Sequence, residues 1–214
     1  DTRKVTDMGY MFSGCSLLET LTFGDNFNTA AVTNMGYLFA NCGRIEAIDL
    51  SKFSTEKVTN MKWMFHNCYK LASLDLSTFN TSKVTNMSRM FASNDALTSL
   101  DISNFNTSLV TTMEEMFSGS YRLLSLTIGS DFTIAGITTI SNMFWNCTSL
   151  ISLDLSSFNT SKVENMGHMF CNCGSLSELD LSNFDTTLTT HMDNLFNGCK
   201  NLTSINISSF DTSN

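Results

Sequence analysis

The chain has 214 residues and a formal charge of −8, with only 12 lysines and arginines, so it lacks the basic face that phosphate neutralisation requires and no nucleic-acid partner is expected. No run approaches 18 apolar residues and no charged-then-apolar leader opens the sequence, which argues against membrane insertion in this segment. All 17 Phe and all 13 Met fall in repeated columns, leaving few hydrophobic residues for a separate catalytic core.

The second residue of each Met-Phe or Leu-Phe pair serves as a ruler: Phe12, Phe39, Phe65, Phe91, Phe117, Phe144, Phe170 and Phe196, at steps of 27, 26, 26, 26, 27, 26 and 26. A period this regular is the mark of a solenoid in which each repeat adds one turn. A second Phe column follows at Phe27, Phe53, Phe79, Phe105, Phe132, Phe158, Phe184 and Phe210. The chain opens with Asp1-Thr2-Arg3-Lys4-Val5 and ends with Asp211-Thr212-Ser213-Asn214, both in the phase of Asn80-Thr81-Ser82-Lys83-Val84. Residues 1–214 therefore read as one array of about eight rungs, expected to be a piece of a longer protein.

Residues 58–83 show the unit most plainly. Thr59 or Asn60 can cap a helix N-terminus. Met61, Met64, Phe65 and Cys68 then follow at i, i+3, i+4 and i+7, which predicts a helix of about two turns. Leu74 and Leu76 alternate with Asp75 and Ser77, the period of a strand, and Asn80-Thr81-Ser82 favours a turn. The expected fold is an α/β solenoid of the leucine-rich-repeat type, with a parallel sheet on one side and short helices on the other. Two repeats are longer by one residue, and there Leu21-Thr22-Phe23-Gly24 and Leu126-Thr127-Ile128-Gly129 replace Leu-Asp-Leu-Ser. The linkage implies that Asp and Ser build the shorter turn and that Gly permits another backbone path.

The pattern Val-Thr-Asn-Met-x-x-Met-Phe-x-x-Cys-x-x-Leu-x-x-Leu-Asp-Leu-Ser-x-Phe-Asn-Thr-Ser resembles the BspA-like leucine-rich-repeat surface proteins, in their 26-residue, proline-free branch. The resemblance covers the whole chain. It implies an extracellular or cell-surface location and a role in adhesion. Local departures are Asn94 and Ser120 at the Cys position, Ile140 for the helix Met and Thr189 for the Val.

Three constellations carry the functional expectations. Six of the seven cysteines, Cys15, Cys42, Cys68, Cys147, Cys173 and Cys199, share a column; bridges between rungs are one reading, and packed thiols at a small buried position are the preferred one. Cys171 lies outside that column and points outward by helix phase, as the one candidate reactive thiol. Asp49, Asp75, Asp101, Asp154 and Asp180 form a column on the strand face, read either as a stripe for calcium or a basic ligand or, preferably, as acceptors for turn amides. The third is the column Tyr10, Tyr37, Trp63 and Arg89, with Trp145 also outward. Three aromatics and an Arg are residue types that anchor interfaces, although amphipathic rings also cover neighbouring elements without binding anything.

Glycine-rich phosphate loops and nucleophile elbows are missing, and only His66, His168 and His191 could act as bases. Like groups spread along a line do not converge on a reacting atom. The chain is therefore expected not to be an enzyme and to use no cofactor. Its expected role is a surface or secreted module that binds a protein or cell-surface macromolecule, with self-association open; the alternative is a spacer or lattice element with no ligand of its own.

Overall fold

The computed structural model describes residues 1–213; Asn214, which closes the array read from the sequence, lies outside them. Like residues of successive repeats lie over one another. The ruler phenylalanines stack in a single file with ring centroids 5.3–6.0 Å apart and planes within 12°. Phe65 and Phe91, for example, are separated by 6.0 Å at 4°. Rungs are numbered 1 to 8 along this file, rung 3 being residues 58–83. In rung 3 the inward set Met61, Met64, Phe65, Cys68, Leu71, Leu76 and Phe79 is buried, and each large side chain removed from water in this way contributes about 1.5–3 kcal/mol.

The helix expected at residues 61–68 is not formed, and no helix occurs among the described residues. Trp63 and Asn67 have φ of 58° and 56°, a left-handed conformation that an α-helix of L-residues does not contain. The backbone amides divide their bonds by parity instead. The N–H groups of Met61, Trp63, Phe65 and Asn67 donate to the carbonyls of Asn86, Ser88, Met90 and Ala92 in rung 4, at 2.9–3.0 Å. Those of Met64 and His66 donate three residues back, to Met61 and Trp63. The segment is thus a chain of tight turns zipped to the next rung, whose equivalent carbonyls supply the acceptors.

The strands are short. β1 (Ser99–Ile102) pairs in parallel with β2 (Ser125–Ile128), and β3 (Glu178–Asp180) with β4 (Ser204–Asn206). The registers Leu100↔Leu126 and Leu179↔Ile205 join equivalent positions of adjacent rungs. Leu100 and Ile102 point inward while Ser99 and Asp101 face water, the alternation expected of a half-buried strand. The strand segment ends where a carboxylate takes over the backbone: Oδ1 of Asp75 accepts the N–H of Ser77 at 3.0 Å, and Phe79 closes a turn on Leu76. In the long rungs 1 and 5 that turn moves one residue on, to Gly24–Phe27 and Gly129–Phe132. Gly129 is required there for space, because a Cβ would lie 1.9 Å from the Ser103 carbonyl oxygen of rung 4.

A file of buried threonines fastens the outer corner. The hydroxyls of Thr29, Thr55, Thr81, Thr107, Thr160 and Thr186 each donate to a carbonyl of the next rung and accept the N–H of that same residue; Thr81 Oγ1 donates to Asn106 O at 2.9 Å and accepts Asn106 N–H at 2.8 Å. Two bonds per hydroxyl satisfy a group that would be costly to bury unpaired.

Candidate functional site

Each rung contains two left-handed residues, and the two resulting files answer the same backbone demand differently. One file holds Gly14, Asn41, Asn67, Ser93, Gly119, Asn146, Asn172 and Gly198, residues for which positive φ is cheap or tolerated. The other holds Tyr10, Tyr37, Trp63, Arg89, Glu115, Asn142, His168 and Asn194, at φ between 52° and 61°. Large side chains in this conformation cost on the order of 1 kcal/mol each. The strain is concentrated in rungs 1–4, where the sequence places the candidate strip.

The structure brings all four strip residues together. Tyr10 and Tyr37 stack at 4.3 Å and 9°, Tyr37 and Trp63 at 5.3 Å and 21°. The Arg89 guanidinium carbon lies 4.6 Å from the Trp63 ring centre, and Lys62 Nζ lies 5.4 Å from that of Tyr37, each cation–π contact worth about 0.5–1 kcal/mol at an exposed site. Arg89 also pairs with Glu115 of rung 5. Glu115 is the member that sequence reasoning missed, although an acid one repeat after the Arg was there to be read. Tyr10 is the most open of the rings, at 59% exposure. Burial and the neighbouring Tyr10 raise the Tyr37 pKa.

His66 supports the strip from one side, with its ring edge-on to Trp63 at 4.2 Å. Its Nδ1 is buried without a hydrogen-bond partner. Burial, and secondarily the Arg89 charge, push its pKa down from 6.5 to about 4. The equivalent position is Ala40 in rung 2, Ala92 in rung 4, Trp145 in rung 6 and Cys171 in rung 7. Trp145 is outward at 37% exposure, three rungs from Trp63. Cys171, expected to point outward, is buried at 5% exposure. The expectation rested on 100° per residue, which the turn chain does not follow, so Cys171 does not stand out as a reactive thiol.

The other cysteines have a structural task. All seven are free, and Cys42, Cys68, Cys147, Cys173 and Cys199 each donate Sγ–H to a ruler Phe carbonyl of the preceding rung at 3.1–3.2 Å. Ser120 Oγ makes the same bond to Phe91 O at 3.0 Å, and Asn94 Nδ2 reaches that carbonyl from within its own rung. The column therefore asks for a small side chain with a donor, which explains why Ser and Asn replace Cys. Burial raises the thiol pKa values, to about 11 for Cys42 and about 12 for Cys68 and Cys147, so these sulfurs stay protonated at neutral pH.

The aspartate column closes turns. Asp49, Asp75, Asp101, Asp154 and Asp180 accept the N–H of the residue two ahead at 2.9–3.0 Å. Bonds from the backbone and hydroxyl of that Ser hold each carboxyl below its usual range. Asp154, Glu178 and Asp180 also line a shallow hollow of about 500 Å³ on the strand face. Among the described residues no three His, Cys, Asp or Glu side chains cluster as a metal site would require, and no helix is long and apolar enough to cross a membrane.

Residues 1–75, 47–152 and 125–214 match the family described as "Mycoplasma protein of unknown function, DUF285". The chain belongs to the DUF285 family. Two solved structures resemble this DUF285 chain. A T. pallidum leucine rich repeat protein (TpLRR) is 18% identical with a TM-score of 0.39, over 57% of this chain and 63% of that one. A leucine rich cell surface protein from Faecalibacterium prausnitzii A2-165 is 17% identical with a TM-score of 0.42, over 94% of this chain and 62% of that one. The chain spans less than two thirds of the length of either. No curated protein matches it.

Proposed function

We propose that this DUF285 chain is a leucine-rich-repeat interaction module of the BspA-like, 26-residue type, exposed at a cell surface or secreted, which adheres to a protein or other cell-surface macromolecule through Tyr10, Tyr37, Trp63 and Arg89. The surface location rests on the resemblance of the repeat. The choice of face rests on one observation: where the parallel left-handed file uses Gly, Asn and Ser, this file carries two Tyr, a Trp and an Arg, outward and stacked. Strain held at outward aromatic residues, one exposed and two half-buried, is the kind of departure that functional surfaces retain. The aspartate column is left out of the binding surface, because its carboxylates are engaged in turns.

The competing spacer reading draws on the uniformity of the strand face, whose repeated Asp and Ser close turns rung after rung. A binding assay on cells or matrix proteins separates the two. Trp63→Ala with Tyr37→Ala should abolish adhesion, and deletion of residues 163–188, one whole rung far from the strip, should leave it largely intact. Adhesion that survives the double substitution and is lost with the deleted rung would favour length over surface.

A further inference from the structure

We propose that Tyr10 and Tyr37 are an oxidative modification site, at which a peroxide acting through a haem peroxidase joins the two rings as dityrosine and staples rung 1 to rung 2.

The argument starts from geometry. The rings are 4.3 Å apart and 9° from parallel, a face-to-face approach that brings their ring carbons close enough to join. Both side chains leave the backbone in the same left-handed conformation, at φ of 61° and 60°, which gives them the same direction and keeps the pair in register. Tyr37 is covered on its far face by Trp63 and Lys62, so the open approach is to Tyr10. In rungs 1 and 2 the positions equivalent to Lys62 and His66 hold only Gly9, Gly36, Ser13 and Ala40. Tyr10 is open to an external oxidant at 59% exposure.

Among the described residues no other two tyrosines are stacked. The remaining tyrosines, Tyr69 and Tyr121, are exposed and share a column, but Asp95 of rung 4 stands between them in that column. Sulfur offers no alternative staple in the core, since the buried file thiols are each bonded to a carbonyl and all seven cysteines are free.

The chemistry balances. Each phenol gives up one electron and one proton to become a phenoxyl radical. The radicals combine through a carbon–carbon bond between ring positions next to the hydroxyls, and each ring regains aromaticity as the displaced ring hydrogen moves to oxygen. The two electrons and two protons reduce one hydrogen peroxide to two waters. The product keeps both hydroxyls and has lost two hydrogens.

The test is to treat the dilute, whole protein with hydrogen peroxide and a haem peroxidase, then follow dityrosine fluorescence and map peptides by mass spectrometry. The expected result is a monomer lighter by two hydrogens whose linked peptides contain Tyr10 and Tyr37. Tyr10→Phe and Tyr37→Phe keep the ring stack and should each abolish that product, whereas the double variant Tyr69→Phe, Tyr121→Phe should yield it unchanged. Product that persists in Tyr37→Phe, that maps to Tyr69 or Tyr121, or that forms only between molecules would overturn the proposal. The reaction needs no ligand on the strip, so its failure leaves the adhesion reading untouched.

Discussion

The contact between rungs 3 and 4 and the contact between rungs 5 and 6 are built from the same columns, yet only the first is fully zipped. Between rungs 3 and 4, Thr85 N–H donates to Thr59 O at 2.8 Å, Met61 N–H to Asn86 O at 3.0 Å and Trp63 N–H to Ser88 O at 2.9 Å, and Thr81 clamps Asn106. Between rungs 5 and 6 the bond from Glu115 N–H to Ser141 O stretches to 3.4 Å, and bonds from Met113 to Thr139 and from Thr138 to Thr111 are not made among the described residues. The series of parallel bridges runs through Asn34, Asn60, Asn86 and Thr112 and resumes at Thr139, omitting the Thr112–Thr139 pair. Ile134 occupies the clamping Thr position, and among the described residues no threonine hydroxyl clamps Asn159.

The added residue of rung 5 is not sufficient to explain this, because rung 1 carries one too and is zipped to rung 2 by Thr33 N–H to Thr6 O at 2.8 Å, Met8 N–H to Asn34 O at 2.9 Å and Tyr10 N–H to Gly36 O at 3.0 Å; what rung 1 keeps and rung 5 lacks is the clamping threonine, Thr29 against Ile134. The side-chain file does not break: Phe117 and Phe144 still stack at 5.3 Å and 3°, and Phe117 N–H again finds Met143 O at 3.0 Å. Apolar stacking and the backbone zip are therefore separable, since the first tolerates a small displacement and the second depends on distance and angle. The strip of stacked side chains also ends at this boundary, with Glu115.

The largest effect expected from this comparison is one that should not distinguish the two contacts. Phe65→Ala and Phe117→Ala each open a cavity in the continuous ring file and should each lower stability by about 3–5 kcal/mol in denaturant unfolding. A Phe117 variant much milder than the Phe65 variant would mean that the file itself is already loose at rung 5.

A smaller effect should be confined to the zipped half. The unfolded chain protonates a histidine near 6.5, whereas folded His66 resists protonation until about 4. The fold therefore loses stability as pH falls from 6.5 towards 4, and the loss levels off below that. Because His66 is partly open to solvent, the loss should be only about 1 kcal/mol. The turn aspartates act in the next window: with folded pKa values below 3.8, their contribution is present above 3.8 and disappears as pH falls through the folded values. His66→Ala, which copies Ala40 and Ala92, should flatten the first phase and leave the second; melting temperatures across pH would show this, and an unchanged first phase would remove His66 from the account.

Much of the fold was legible because repetition marks the interior directly. Met61, Met64, Phe65 and Cys68 were placed inward correctly even though the helix that justified them is absent, since a turn chain and a helix can both bury i, i+3, i+4 and i+7. The sign of the difference was present in Gly14, Gly119 and Gly198, which share a column with Asn41 and Asn67; that mixture marks positive φ rather than helix interior. Cys171 was misplaced by the same helix geometry. The strip of Tyr10, Tyr37, Trp63 and Arg89 was readable as a column, but its backbone strain and its closure by Glu115 depend on φ and on side-chain reach. The Thr file was hidden because Asn-Thr-Ser reads first as turn chemistry, and its hydroxyls act across rungs rather than within one.

Amide hydrogen exchange tests most directly whether the threonine clamp is what keeps adjacent rungs zipped. The amides of Thr85 and Met61 should be strongly protected, those of Thr138 and Met113 should exchange much faster, and Phe117, just past the fault, should be protected again. Ile134→Thr should raise protection at Asn159 by restoring the clamp. Equal protection of Met61 and Met113, with no change at Asn159, would contradict the account.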